Sequence, residues 1–413
     1  MPTQLTVGAD GRWMPRVGSI PPSCVHEVFR AVERWADGRA VIRLHVGEPA
    51  FRPPRAVHEA VTDALRRGRT TYGPAEGIPE LREALAAKLL RRNGHDARAD
   101  LVFVTPGSSQ GLAALFQTVA DPGDEVLLPA LHWPVHLQQV LLAGLRPVFY
   151  PLDDHFRPDL RALADLGGSR ARALLVNSPA NPSGAVCRPE HLRPLLDLAR
   201  RRSWQVISDE AYEDFVFEGE HISLASLERD VPWDERIVST AFSFSKSYAM
   251  TGHRLGYVVV ANHRLASAFG LVQEATIVCP QMPVQYGALA ALKSDTAVEA
   301  NREHLRRAAG LLAPLTEAGL LAYLPEGGWY ALLEVPAVGL DATAYAQALL
   351  EAQGVALAPA DGFAIRPEFD EYGRILGVPT DLAASRFLRV ALCGDHTALR
   401  RGVERIVEFA AKG

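Results

Sequence analysis

The chain has little of what marks most specialised protein classes. Cysteine occurs four times in 413 residues, at Cys24, Cys187, Cys279 and Cys393, and no two form a C-x-x-C pair. That spacing offers neither a zinc knuckle nor a redox pair, so free thiols in a reducing compartment are expected, and no metal site. No apolar run approaches membrane-spanning length. The opening MPTQLTVGADGRWMPRVG lacks the charged-then-apolar profile of a signal peptide, which points to the cytoplasm. Neither sign of charge dominates. Lys and Arg number 43 against 48 Asp and Glu, a net charge of -5, which gives no pull toward nucleic acid or an anionic membrane. Arg200-Arg201-Arg202 reads as a solvated helix face. Internal repeats and low-complexity tracts are missing as well.

What is present is a long, ordinary globular composition, 48% hydrophobic and 22% charged. Such a length exceeds one compact core and predicts a large and a small domain. Pro21-Pro22 followed by an amphipathic stretch from Ser23 to Trp35 reads as a helix start. Helical spacing covers Arg55 to Arg67, and a second helix enters at Pro79 and stops at Asn93-Gly94. From residue 101 the rhythm changes. The runs LVFV (101–104), VLLP (126–129), ALLVN (173–177), WQVISDE (204–210), IVSTAFS (237–243) and YVVVA (257–261) are strand candidates, most of them separated by helical stretches. This alternation predicts an α/β fold with a mainly parallel sheet covered by helices. From about residue 292 the pattern is helical through Glu299–Leu315, then WYALLEV (329–335) and RFLRVAL (386–392), then a helix from His396 to Ala411. That is a second α+β layer, closed by the N-terminal segment.

Five pieces carry chemistry. In SFSKSYAMTGHRLGY (243–257), Ser243, Ser245, Lys246 and Arg254 follow a predicted strand; hydroxyls and a guanidinium there suit a phosphate. Lys246 among them is the amine that a Schiff base with an aldehyde needs. A surface turn is the other reading. In SDEAYEDF (208–215), Asp209 stands at the carboxyl end of a strand, where open parallel sheets bind ligands; a helix N-cap would also use Asp. NSPANPSGAV (177–186) is a rigid loop presenting Asn181, or a plain turn. TPGSSQGL (105–112) is a strand–turn–helix junction whose free N–H groups at Gly107, Ser108 and Ser109 favour a phosphate. It has no Walker lysine, so it is not a nucleotide loop. LPALHWPVH (128–136) offers Trp133 as a flat face, or as a core residue.

In this order the five pieces resemble the class I/II aminotransferases of fold type I, above all the bacterial aspartate/aromatic branch. LHVGEP, TYGPAEGIPELR and FLRV extend the resemblance over nearly the whole chain. It implies pyridoxal 5'-phosphate as cofactor, an amino acid and a 2-oxo acid as substrates, and a homodimer with shared sites. It implies a cofactor domain over 53–291 and a small domain from 1–52 with 292–413. Lys246 would hold the cofactor covalently and shuttle a proton. Asp209 would pair with the pyridine nitrogen, and Asn181 and Tyr212 with the ring's phenolate. Trp133 and Ala211 would pack the two ring faces. Ser108, Ser109, Ser243, Ser245 and Arg254 would take the phosphate at the Gly107 turn, and Tyr72 the phosphate of a neighbouring subunit. Arg389 would clamp the substrate carboxylate, helped by Asn181 and the Gly47 backbone.

Three departures bear on the substrate. Ser109 stands where aspartate-specific relatives have a lysine, which removes a cation for a side-chain carboxylate. His253 replaces a Trp in the motif A-M-T-G-W-R-L-G, as a packing change or a modifier of the phosphate site. The stretch 365–385 is longer than the usual link before Arg389, as a surface excursion or a lid. The expected reaction is therefore amino transfer from a neutral or aromatic donor. β-Elimination, cyclisation or oxidation on the same fold is the alternative. A cofactor-binding regulator is disfavoured, because about fifty residues precede the cofactor domain without a helix-turn-helix signature or a basic stretch.

Overall fold

The computed structural model describes residues 20–22, 24–36, 38, 40–336, 340–370 and 375–412. The turn-rich first residues and Ser23 fall outside these. Strands in chain order are β1 (Ile42–Arg43), β2 (Val102–Thr105), β3 (Glu125–Pro129), β4 (Arg146–Tyr150), β5 (Ala171–Asn177), β6 (Gln205–Asp209), β7 (Val238–Ser243) and β8 (Gly256–Val259). They continue with β9 (Tyr330–Glu334), β10 (Val355–Ala356), β11 (Ala358–Pro359), β12 (Glu368–Phe369), β13 (Ile375–Gly377) and β14 (Phe387–Ala391).

The large sheet has seven strands in the order β2-β8-β7-β6-β5-β3-β4. All neighbours are parallel except at β8, which runs antiparallel to both β2 and β7. The expectation of a mainly parallel α/β sheet is met. Its central strands are buried along their length, as β7 shows at all six positions, which explains their near-continuous apolar runs. The sequence reading passed over β4. Pro147 lies in it, and a proline fits this strand because it sits at the sheet edge.

The predicted helix ends hold closely. One helix runs Pro79–Asn93 and stops at Gly94 in the left-handed conformation, φ 61°, where glycine carries no Cβ penalty. Others run Cys24–Ala36, Arg55–Arg66 and His396–Ala410. The expected helix Glu299–Leu315 is instead two, Asp295–Gly310 and Ala313–Glu317; Pro314 lies in the first turn of the second, where its missing N–H costs no helix bond.

A second sheet, β11-β14-β9, is antiparallel and pairs Arg389 with Leu332 on one side and Ala358 on the other. The 42–50 segment is strung along it. Leu44 N–H donates to Ala356 O at 3.0 Å, Ala391 N–H to Leu44 O at 2.7 Å, and Ala50 N–H to Cys393 O at 2.8 Å. One hydrophobic cluster joins Tyr212 and Phe215 to Trp329, Leu333 and Val390, so the two sheets meet through packed side chains.

Two consequences follow from this packing. At Gly256 a Cβ would lie 2.5 Å from Ser108 N and 2.6 Å from Phe242 O, backbone atoms that cannot swing aside. Gly256→Ala should therefore lower unfolding stability by about 1–3 kcal/mol in denaturant titrations. Three fully covered histidines, His45, His95 and His132, are driven by burial to about 4, about 4 and about 3. Unfolded, each takes up its proton near 6.5. Between those limits the unfolded chain binds more protons, so stability declines as pH falls. Melting temperature should drop on acidification from neutral pH toward 4; a flat profile over that window would contradict neutral buried rings.

Candidate active site

Strands β2, β3, β5, β6 and β7 all point the same way, so their carboxyl ends deliver side chains to one edge of the large sheet. Thr105 leads into the Gly107 turn, Pro129 into Trp133, Asn177 into Asn181, and Ser243 into Lys246, while Asp209 ends its own strand.

Asp209 is 4% exposed. Its Oδ2 lies 2.9 Å from His136 Nε2, and its Oδ1 accepts the Ala211 N–H at 3.2 Å. A buried carboxylate without such partners would be costly. His136 was missed by the sequence reading, although a signal existed: it stands three residues after Trp133, one helical turn on. The Trp133 and His136 rings meet edge to face, centroids 5.2 Å apart. Trp133 itself is half-buried.

Lys246 is partly buried. Its Nζ lies 3.5 Å from Gly47 O, 4.2 Å from the centre of the Trp329 ring and 5.6 Å from that of Tyr212. Burial, and then the neighbouring Tyr330, push the Tyr212 hydroxyl well above the usual phenol range. It therefore stays protonated, a donor at neutral pH.

A cluster of hydrogen-bond donors lies at the same strand end. Ser243 Oγ accepts from Ser245 N–H at 3.2 Å, and Arg254 Nη1 reaches Ser245 Oγ at 3.5 Å and Thr251 O at 2.9 Å. Arg254 Nη2 crosses the start of the helix Gly107–Val119 so closely that a Cβ on Gly107 would sit 2.6 Å from it; Gly107 also has φ 78°. Ser108 is buried and Ser109 half-buried in the first turn of that helix, and Ser109 O accepts from Gln139 Nε2 at 2.7 Å. Helix N–H groups, two hydroxyls and a guanidinium thus converge, the donor set that a phosphate monoester requires.

Arg389, 2% exposed, projects from β14 toward the same edge. Nη1 donates to Asn181 Oδ1 at 3.1 Å and Nη2 to His45 O at 2.9 Å, with Tyr330 and Phe363 rings 4.1 Å and 4.6 Å from its carbon. Asn181 is held by its own N–H, which donates to Asn177 Oδ1 at 2.8 Å. Both peptide bonds Ser178–Pro179 and Asn181–Pro182 are cis. Tyr72, by contrast, is 85% exposed. Trp329, Tyr330 and Phe363 went unassigned in the sequence, because apolar strand and turn residues look alike there whether or not they face a site.

The departures also find places. The His253 ring packs near that of His58, centroids 5.8 Å apart. The 365–385 stretch forms the hairpin β12–β13, with residues 371–374 outside those described. Its base is closed by the Arg366–Asp381 ion pair and by Arg366 N–H to Pro379 O at 2.8 Å. The Arg366 guanidinium also lies over Phe149, whose ring stacks on His132.

Comparison with known proteins agrees with this geometry. The family model "Aminotransferase class I and II" matches residues 39–406. The aspartate/prephenate aminotransferase of Thermus thermophilus is 36% identical over 405 residues, 96% of this chain and 98% of that protein. Aromatic-amino-acid aminotransferase 2 of Thermococcus litoralis is 32% identical, over 84% of this chain and 90% of its own. Among solved structures, the Thermus thermophilus aspartate aminotransferase with maleate superposes with a TM-score of 0.85 at 34% identity, covering 96% of this chain and 98% of that one. The aromatic aminotransferase from Pyrococcus horikoshii gives 0.80 at 30% identity, covering 94% and 99%. No helix among the described residues is long and apolar enough to cross a membrane. With a fold, a phosphate cradle and a buried carboxylate that fit the cofactor, the chain belongs to the aminotransferase class I and II family and is a pyridoxal-phosphate-dependent aminotransferase of amino acids.

Proposed function

We propose that this cytoplasmic enzyme moves an amino group from a neutral or aromatic amino acid to a 2-oxo acid such as 2-oxoglutarate. The observation that carries the reading is the convergence of Lys246 Nζ, the Asp209 carboxylate and the Arg389 fork at one sheet edge.

When bound, pyridoxal 5'-phosphate supplies an aldehyde for condensation with amines and a cationic ring that accepts the electron pair of a broken Cα–H bond. The chain's own residues do the rest. Lys246 would hold the cofactor's aldehyde carbon, and its amine would be placed to move the Cα proton. Asp209, oriented by His136, would keep the pyridine nitrogen protonated. Tyr212 and Asn181 would hydrogen-bond the phenolate, and Trp133 and Ala211 would pack the ring faces. Ser108, Ser109, Ser243, Ser245 and Arg254 hold the phosphate. Arg389 binds the substrate carboxylate through its planar fork, with Asn181 and the Gly47 backbone alongside.

Residues 53–291 form the cofactor domain in this reading, with 1–52 and 292–413 as the small domain that brings Arg389. The exposed Tyr72 is free to reach the phosphate site of a second copy, so the working unit is a homodimer. Ser109 supports a non-acidic donor, because it leaves the first turn of the phosphate helix without a cation for a distal carboxylate. The names of the relatives include aspartate as well as aromatic and prephenate substrates, so the donor is the part to test.

The holoenzyme is to be mixed with a panel of amino acids, with and without 2-oxoglutarate, while glutamate, ammonia and oxygen uptake are followed separately. Glutamate should form only with 2-oxoglutarate, faster from aromatic or neutral donors than from aspartate. A preference for aspartate would overturn the donor assignment; ammonia or oxygen uptake without 2-oxoglutarate would favour elimination or oxidation. Lys246→Ala should abolish turnover. Arg389→Lys loses the fork geometry and should cost about 10- to 100-fold in kcat/KM, the worth of one charged hydrogen bond.

A further inference from the structure

We propose that Arg366 is a positioning residue: it ties the 365–385 hairpin to the large sheet and so holds Arg389 in register with the loop that carries Trp133. The inference rests on the reading of Arg389 as the clamp for the substrate carboxylate.

The long link before Arg389 is one of the places where this chain departs from the pattern it otherwise follows, and Arg366 stands at its start. The guanidinium ion-pairs with Asp381 across the hairpin base, and the Arg366 backbone N–H donates to Pro379 O at 2.8 Å. Asp381 is itself fixed. Its N–H donates to Ala364 O at 3.0 Å, and its Oδ1 accepts the Ala383 N–H at 3.1 Å. So held, the guanidinium lies over the Phe149 ring of β4, 5.6 Å from its centre. The quadrupole of an aromatic face attracts such a cation. Phe149 in turn stacks on His132, with centroids 5.2 Å apart and planes 29° from parallel.

From His132 two short paths lead to the site. Its backbone N–H donates to Phe363 O at 2.8 Å, and the buried Phe363 ring lies 4.6 Å from the Arg389 carbon. Its chain neighbour is Trp133, the face read as packing the cofactor ring. The segment that packs Arg389 and the segment that presents Trp133 therefore meet at one backbone hydrogen bond, with Arg366, Phe149 and His132 stacked beside it. The joint also has a gap next to it. A cleft of about 390 Å³ opens there, with Leu131, Leu152, Leu332 and Phe387 as well as Arg366 and Asp381 in its walls. Side chains facing a void lack the contacts that would otherwise fix their spacing.

A substrate must span this joint, with its carboxylate on Arg389 and its reacting carbon beside the ring that Trp133 packs. Lys246 and Asp209 stand on and after other strands, β7 and β6. Loss of Arg366 thus loosens the grip on the carboxylate and spares the proton step.

The test uses holoenzyme and 3-phenylpropionate, a carboxylate ligand without an amine, bound in a calorimetric titration. Arg366→Met should weaken its binding about 2- to 5-fold, the worth of a half-exposed cation–π contact. Phe149→Leu should show a similar loss on its own, and it carries the test if the first variant does not fold. In the double variant the second change should add nothing, because both break one stack. With phenylalanine as donor, KM should rise while kcat stays within about twofold. Unchanged affinity, a loss in kcat instead of KM, or losses that add in the double variant would each overturn the assignment. Arg389→Lys separates this from the parent reading: if that variant binds 3-phenylpropionate as tightly as the wild type, the carboxylate clamp lies elsewhere; if it binds weakly and the Arg366 and Phe149 variants do not, the positioning role alone fails.

Discussion

One hydrogen bond ties the two halves of the site together: Arg389 Nη1 to Asn181 Oδ1 at 3.1 Å, across 208 positions of chain. Everything on the large sheet, from Lys246 to Asp209, hangs on strand ends that share one edge. From the small sheet, Arg389 arrives on β14 and Tyr330 on β9. The guanidinium has to reach across, and it does so buried, with a second nitrogen on His45 O and two aromatic rings beside it. A buried cation needs such partners. The segment 42–50, laced to β14 by backbone hydrogen bonds, supplies that carbonyl and places Gly47 O beside the Lys246 amine.

The electrostatics of the site follow from burial. Asp209 is sheltered among strand ends, and His136 and the Ala211 N–H hold its two oxygens in fixed directions. The Tyr212 hydroxyl is kept protonated by burial beside Tyr330. The Lys246 Nζ lies near the Gly47 carbonyl and the Trp329 and Tyr212 ring faces. Carboxylate, phenol and amine are thus held at the ends of the neighbouring strands β6 and β7, each by its own partners, an arrangement suited to proton movement.

Much of this was legible because parallel sheets advertise themselves. Six apolar runs marked six of the seven large-sheet strands, since strands buried on both faces cannot alternate. The seventh, β4, carries Pro147 and lies at an edge, where sequence rules are loose. Lys246, Asp209 and Asn181 were singled out by type at or after strand ends, whereas Arg389, inside a strand, came from the family resemblance alone. His136 was within a quoted motif but unassigned, because a histidine beside a tryptophan has many uses. Trp329 and Phe363 gave no signal at all, since an aromatic residue opening a strand or turn reads as core.

The sequence by itself determined the fold class, the family resemblance and the set of polar groups, because backbone propensity, apolar periodicity and residue chemistry are local properties. It also showed that Ser109 removes a cation. Only the tertiary structure decided which groups touch: Arg254 over Gly107, His136 on Asp209, the Lys246 amine over Trp329. Those contacts join residues tens to hundreds of positions apart. Their distances are set by how two sheets and the segment between them pack, a many-body outcome that no short stretch of chain contains.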